Sequence, residues 1–327
     1  MGKDNKRLAV LTSGGDAPGM NAAIRAVVRT ATYHDLHIYG IRRGYEGMIA
    51  GDISRLETRA VGNIMHRGGT ILKTARSKAF LTEQGRKQAY ESLQAHDIDG
   101  LITIGGNGTF TGAKVFSKEF DIPIIGIPGT IDNDLYGTDY TIGFDTAVNT
   151  AIEAVDRIRD TADSHNRLFF VEVMGRHAGF IALNTGIASG ASGIMIPETK
   201  IDAEELVSML KKGAKRNKLF SLVIVAEGNQ NGGASELAEI IKEKFDYYDT
   251  KVTIIGHLQR GGAPSGFDRV LASRLGFMAV EGLLAGKKDV MVGMRKSQIV
   301  YTRLADAIKK VKAPDPDLVR MAEILAL

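Results

Sequence analysis

Two aspartates, Asp132 and Asp134, stand two residues apart behind Thr130 in the turn Pro128-Gly129-Thr130-Ile131-Asp132-Asn133-Asp134. Such a pair suits a reaction in which one carboxylate accepts the proton of an attacking hydroxyl while the other helps hold a hard cation such as magnesium. Asp-Asn-Asp by itself is also a common solvated turn, but the buried apolar run in front of it argues for function. Two more glycine-rich turns follow apolar runs: Ser13-Gly14-Gly15-Asp16-Ala17-Pro18-Gly19 and Gly105-Gly106-Asn107-Gly108-Thr109. Where side chains are missing, a phosphate can approach the main chain. Neither turn is a P-loop, because the closing lysine and hydroxyl pair is absent, and neither is the spaced dinucleotide fingerprint. A phosphate site of another kind is implied. Arginines add to it: Arg167, Arg176 in Met174-Gly175-Arg176, and Arg260 in His257-Leu258-Gln259-Arg260-Gly261-Gly262 sit at the mouths of apolar runs. A guanidinium fork grips phosphate bidentately. His257 reads equally as a structural histidine and as a ligand contact.

These residues need strands to carry them. Valine- and isoleucine-rich runs, each followed by a glycine-rich turn and a segment of helical period, are the alternation of a parallel α/β sheet covered on both faces. Strands are expected at Arg7 to Thr12, Gly100 to Ile104, Ile122 to Ile127, Leu168 to Met174, Leu222 to Ala226 and Val252 to Gly256. Helices are expected at Met20 to Thr32, Glu83 to Ala95, Thr146 to Thr161, Ala203 to Lys215 and Ser235 to Phe245. In such sheets ligands bind beyond the carboxyl ends of the strands, where helix N-termini present free amides and a positive dipole end. The glycines lie there.

The chain has 327 residues, enough for two domains that each bury a core. The weakest pattern, near Asp139 to Asp145, marks a first crossover. Net charge is +4, with 42 basic against 38 acidic residues that are dispersed along the chain, so nucleic acid is not an expected partner. There is no cysteine, which excludes a disulfide framework, a thiolate zinc site and a cysteine nucleophile and makes the cytoplasm the expected location. The polar segment Met1 to Arg7 is no signal core, and no apolar run approaches the ~20 residues of a membrane span, so no membrane association is expected.

Taken together, Thr12 to Asn21, Gly126 to Asp134, Thr138 to Gly143, Val171 to Arg176 and Gly256 to Gly262 closely resemble the bacterial type of the phosphofructokinase family, over Arg7 to at least Leu284. The resemblance implies an α/β fold of two Rossmann-like three-layer α/β/α domains with mainly parallel sheets and the active site in the cleft between them. One domain would comprise 1–143 plus about 257–305 and bind nucleotide. The other would comprise about 144–256 plus 306–327 and bind the sugar phosphate. It implies phosphoryl transfer from MgATP to the 1-hydroxyl of fructose 6-phosphate, the committed step of glycolysis, by a homotetramer with shared active sites. By the same resemblance Asp132 is the proton acceptor, with Thr130 and Arg176 beside it. Ile131, Arg167, Met174, Gly175, Glu227, Lys251, His257 and Arg260 join these three as sugar phosphate contacts. Gly15, Tyr45, Arg76, Ser77, Gly106, Asn107, Gly108 and Thr109 match the nucleotide side, Asn107 and Asp134 the Mg2+ site. Glycine at 108 and 129, where pyrophosphate-using members tend to carry larger side chains, leaves room for a nucleoside and favours ATP as donor.

The sequence departs from the family in places. The turn Gly-Gly-Asp-Gly-Ser reads Gly105-Gly106-Asn107-Gly108-Thr109 here, which removes a formal charge from the magnesium site. Lys251 replaces an arginine, turning a bidentate fork into a point charge. Arg25, Arg29, Arg159, Arg216 and Lys218 match an allosteric site for ADP or phosphoenolpyruvate, yet an arginine of that pattern falls near Asp52 and a glutamate near Ser192. Two alternatives stay open: a catalytically weakened regulatory paralogue, motivated by Asn107, and a pyrophosphate-dependent enzyme.

Overall fold

The computed structural model describes residues 6–162, 167–199, 201–216 and 220–326. Among them the elements, in chain order, are β1 (Arg7–Thr12), α1 (Met20–Tyr33), β2 (His37–Ile41), α2 (Gly44–Ala50), β3 (Ile53–Arg55), α3 (Glu83–Gln94), β4 (Gly100–Gly105), α4 (Asn107–Phe120), β5 (Ile124–Pro128), α5 (Phe144–Ala162) and β6 (Arg167–Val173). There follow α6 (Phe180–Ala188), β7 (Gly193–Met195), α7 (Ala203–Lys215), β8 (Phe220–Ala226), α8 (Ala234–Lys244), β9 (Asp249–Ile254), a short 3-10 turn (Gly256–Arg260), α9 (Gly266–Leu284), β10 (Val290–Arg295), β11 (Gln298–Arg303), α10 (Leu304–Lys309) and α11 (Pro316–Leu325). The result is an α/β protein with two mainly parallel sheets.

The first sheet has seven strands in the order β11-β10-β5-β4-β1-β2-β3. Its five inner strands run parallel, while the edge strands β3 and β11 are antiparallel to their neighbours. The inner strands read as unbroken apolar runs because both faces are covered. On one face Ala9, Leu11, Leu101 and Ile124 meet Tyr45 and Met48 of α2, Ala89 and Leu93 of α3, and Phe110, Ala113 and Phe116 of α4. On the other, α9 closes onto Ile125 so tightly that a side chain at Gly282 would lie 2.8 Å from it, and α1 nests against α9 with Gly276 over Ala23. The Arg86 guanidinium of α3 is clamped in a fork by Glu119 of α4, which raises its pKa.

The second sheet is wholly parallel, in the order β7-β8-β6-β9. Leu168, Phe170, Val223 and Val225 face α7 and α8 through Leu206, Leu210, Leu237 and Ile241. The described residues form two compact units: those within 1–130, 135–145 and 260–312 around the first sheet, and those within 131–134, 146–259 and 313–327 around the second. The four residues from Ile131 to Asp134 thus group with the second unit although Thr130 groups with the first, a local crossing that periodicity does not announce.

Candidate active site

In sheet order β5, β4 and β1 are neighbours, so the turns that leave their carboxyl ends lie side by side. Main-chain bonds stitch these turns together. Ser13 N–H donates to the Ile104 carbonyl at 3.0 Å and Gly129 N–H to the Gly105 carbonyl at 3.0 Å. Thr109 Oγ1 donates to the Ser13 carbonyl at 3.1 Å. At Gly105 no side chain fits, since a Cβ would lie 2.3 Å from Thr109 Oγ1 and 2.5 Å from the Ser13 carbonyl. Helices α1 and α4 begin on these turns with Gly19 and Gly106 at their N-caps, and neither receives a side-chain cap. Elsewhere Thr82, Asp202, Ser265 and Asp315 cap helices with their own oxygens. The Met20 N–H at the start of α1 donates to the Ala17 carbonyl at 3.2 Å, and the N-terminal ends of both helices turn their positive dipole ends toward these turns.

Gly108, in the first turn of α4, has no atom within 4 Å of the place a Cβ would occupy. Gly129 differs: its Cβ would be 3.0 Å from Ile104 and 3.1 Å from Met20. Tyr45, expected on the nucleotide side, stacks on Phe80 at 4.0 Å and donates its hydroxyl to the Thr109 carbonyl at 2.6 Å. Burial pushes its pKa up, so it stays a neutral donor. It supports the first turn of α4. Ser77 accepts the Phe80 N–H at 3.2 Å, which fixes the turn after the exposed Arg76. Asn21, which in the sequence merely closes the Thr12 to Asn21 motif, is only 1% exposed; it accepts from Ile71 N–H and donates to the carbonyls of Arg67 and Gly68, anchoring the loop that carries Arg76.

Asp132 is 8% exposed and Asn133 beside it 4%. Asn133 adopts φ 53°, a left-handed conformation that asparagine tolerates well, and this bends the chain between the two aspartates. Asp134 is half-buried, and the Thr130 carbonyl accepts the Thr141 hydroxyl at 2.6 Å. No cluster of three or more acidic, histidine or cysteine side chains that could hold a metal occurs among the described residues.

The second sheet presents its own mouths. Past β6 the chain turns sharply through Met174, Gly175 at φ 149° and Arg176 at φ 57°. A left-handed arginine costs ~1–2 kcal/mol, so something must hold it. Glu227, at the end of β8, does so: its Oε1 accepts Arg176 N–H at 2.6 Å and Gly175 N–H at 3.3 Å. Gly228 closes the clamp, for a Cβ there would be 2.0 Å from the Arg176 carbonyl. On β9, Lys251 pairs with Asp249 at 2.9 Å, and Arg167 of β6 approaches the same carboxylate at 3.9 Å. The exposed His257 lies in the 3-10 turn after β9. Arg260 lies across Gly15, where a Cβ would be 1.8 Å from Nη1, and its Nε is buried without a hydrogen-bond partner. The pairing of Arg260 with a nucleotide-side glycine was not foreseen.

Of the effector candidates, Arg25 and Arg29 lie four residues apart on α1 and Arg216 is exposed after α7. Arg159 donates to the Ser189 carbonyl and covers the Phe220 ring at 5.7 Å. Lys218 falls outside the described residues. Asp52 is exposed, whereas Ser192 is buried and exchanges hydrogen bonds with Leu222. No helix among the described residues is long and apolar enough to cross a membrane.

Comparison with known proteins agrees with this geometry. The profile described as Phosphofructokinase matches residues 7–283. The chain is 55% identical over 320 residues to the ATP-dependent 6-phosphofructokinase of Cytophaga hutchinsonii, covering 98% of each chain. It is 56% identical over 322 residues to ATP-dependent 6-phosphofructokinase 1 of Thermus thermophilus, covering 98% of this chain and all of that one. Among solved structures, phosphofructokinase from Saccharomyces cerevisiae superposes with a TM-score of 0.89 at 37% identity over 93% of this chain, which spans 45% of the yeast chain. With the glycine turns of β1, β4 and β5, the buried Asp132 and the arginine mouths of the second sheet in place, the chain belongs to the phosphofructokinase family.

Proposed function

We infer that the chain is an ATP-dependent 6-phosphofructokinase, transferring the γ-phosphoryl group of ATP to the 1-hydroxyl of fructose 6-phosphate to give fructose 1,6-bisphosphate and ADP. The observation that carries this reading is the row of neighbouring glycine turns at β1, β4 and β5, with two helix N-termini that carry no side-chain cap and a buried aspartate within the β5 turn. Phosphoryl transfer asks for positioning and charge neutralisation more than covalent chemistry, and amides aimed at the phosphates cost no reorganisation during reaction. Asp132 takes the proton of the sugar hydroxyl as it attacks. Thr130 and Ile131 orient that hydroxyl, and Arg176 and Arg76 balance charge on the transferring group. Met174, Gly175 and Glu227 line the sugar, and Arg167, Lys251, His257 and Arg260 hold its 6-phosphate. Gly15, Tyr45, Ser77 and Gly106 to Thr109 form or support the nucleotide site.

Magnesium fits the donors present. Asp134 and the Asn107 side-chain carbonyl are hard oxygens of the kind magnesium takes. Such an ion would neutralise charge on the phosphates. Gly108 supports ATP over pyrophosphate, because the space beside it is not claimed by the chain's own packing. Asn107 is the observation behind a second reading, a weakened regulatory paralogue.

We further propose a cytoplasmic homotetramer with shared sites, supported by the edge position of β9 and by Val252 and Ile254 exposed on it at 39% and 58%. An anionic effector, ADP or phosphoenolpyruvate, would bind at Arg25, Arg29, Arg159, Arg216 and Lys218. The deciding experiment measures fructose 1,6-bisphosphate formed by purified protein with ATP or pyrophosphate as donor. Product with ATP alone is expected; product with pyrophosphate alone, or with neither, overturns the reading.

A further inference from the structure

Gln259 sits between a leucine that is 72% exposed and the phosphate-binding candidate Arg260, yet it is itself fully buried. An amide is costly to bury unless both its ends are satisfied. Here they are. Met174 N–H donates to Gln259 Oε1 at 2.8 Å, and Gln259 Nε2 donates to the Ala147 carbonyl at 3.2 Å. Only this orientation of the amide satisfies both partners, so the side chain cannot flip without losing them. The partners lie 85 and 112 residues away in the chain.

The position explains the need. The parallel pairing of β6 with β9 ends where Ile255 N–H donates to the Glu172 carbonyl at 3.0 Å. Beyond that rung both strands break away, β6 into the turn that carries Arg176 and β9 into the 3-10 turn that carries His257 and Arg260. The Gln259 side chain supplies the next link, joining Met174 to the 3-10 turn where main-chain pairing has run out. Through Ala147 it also ties that turn to the start of α5. Glu227 holds Gly175 and Arg176 from one side; Gln259 holds Met174, immediately before them.

We propose that Gln259 is a positioning residue for the sugar phosphate site, fixing the Met174-Gly175-Arg176 turn against the His257-to-Arg260 turn so that their cationic side chains meet one ligand. The proposal rests on the phosphofructokinase reading for the ligand's identity and on the hydrogen bonds alone for the mechanical role. A side chain that merely filled space would be replaceable by methionine, which has nearly the same length and no amide.

The test compares the parent with Gln259→Met and Gln259→Glu, in the full chain. For Gln259→Met, the KM for fructose 6-phosphate should rise about 10-fold or more while the KM for ATP stays within about twofold. Gln259→Glu should recover part of that loss only with its carboxyl protonated, because the acid can accept the Met174 N–H and donate to the Ala147 carbonyl, whereas the carboxylate would set an oxygen against that carbonyl. Hydrogen exchange followed by mass spectrometry gives a readout independent of turnover: peptides covering 172–178 should exchange faster in Gln259→Met, and peptides covering 104–110 should not. An unchanged sugar KM, equal rises in both KM values, or unaltered exchange at 172–178 would each overturn the proposal. Should Gln259→Met fail to fold, Gln259→Asn, whose amide is one methylene too short to reach both partners, must show the same split for the proposal to stand. If the parent itself forms no product, the functional reading fails, and the exchange data still decide the role of Gln259.

Discussion

At the carboxyl end of the seven-stranded sheet the turns after β1, β4 and β5 hold one another through main-chain bonds, and glycine is the working residue. At the carboxyl end of the four-stranded sheet, the turns after β6, β8 and β9 are held by side chains: Glu227 accepts from Gly175 and Arg176, and Gln259 spans Met174 and Ala147. The first set presents main-chain amides; the second presents arginines, held by the exposed Glu227 and the buried Gln259. Damage should differ accordingly. In the first region added atoms do harm, and in the second so does anything that loosens the side-chain clamp, whether a lost polar atom or an added one.

Among these residues Asp132 is the proposed proton acceptor, and its loss should have the largest effect. Asp132→Asn keeps the shape and removes the acceptor, so kcat should fall by about 100-fold or more with little change in the KM for fructose 6-phosphate. Near-normal turnover would remove Asp132 as the base. Next comes the clamp on Arg176. Gly228→Ala must displace the Arg176 carbonyl, 2.0 Å from the new methyl group, and should raise the KM for fructose 6-phosphate about 30-fold while ATP affinity holds. If the ATP KM rises equally, the two regions are not separable in the way drawn above.

The two glycines of the donor argument sharpen the contrast within the first region. Gly108→Asp enters open space, so thermal stability should stay within about 1 °C while the KM for ATP rises about 10-fold through repulsion of the phosphates. Gly129→Ala meets Ile104 and Met20 and should instead lower the melting temperature by several degrees, a cost of roughly 1–3 kcal/mol for overpacking. Equal melting curves for the two variants would break the distinction. The smallest effect is expected from Asn107→Asp, which returns an anionic oxygen to the proposed magnesium site. A magnesium titration at fixed ATP should show the half-saturating concentration falling about threefold if the ion lies between the new carboxylate and the phosphates, or ATP affinity falling if it does not. A titration that overlays the parent, with unchanged ATP affinity, would show residue 107 to be remote from the ion.

Much of the fold was legible because its signals are local. The strand Arg7–Thr12 and the helix Ala203–Lys215 have the bounds that their apolar periods predict, and the six expected strands all form within three residues of their expected ends. The antiparallel pair β10 and β11 was not among those expectations. β11 is only partly covered, with no fully buried residue, so neither a continuous apolar run nor a clean alternation marks it.

The sequence by itself determined the chemistry on offer: glycines after strands, a carboxylate pair behind a threonine, arginines at strand mouths. Backbone freedom, charge and hydrogen-bonding capacity belong to residue types and survive without a fold. Only the tertiary structure decided which of these groups act together. It made neighbours of the turns at β1, β4 and β5, whose order in the sheet is not their order in the chain. It gave Gly108 open space and Gly129 none, although the two residues are chemically identical. It also turned Gln259, which composition and spacing pass over, into the link between two arginine-bearing turns, because satisfying a buried amide depends on partners brought in from 85 and 112 residues away.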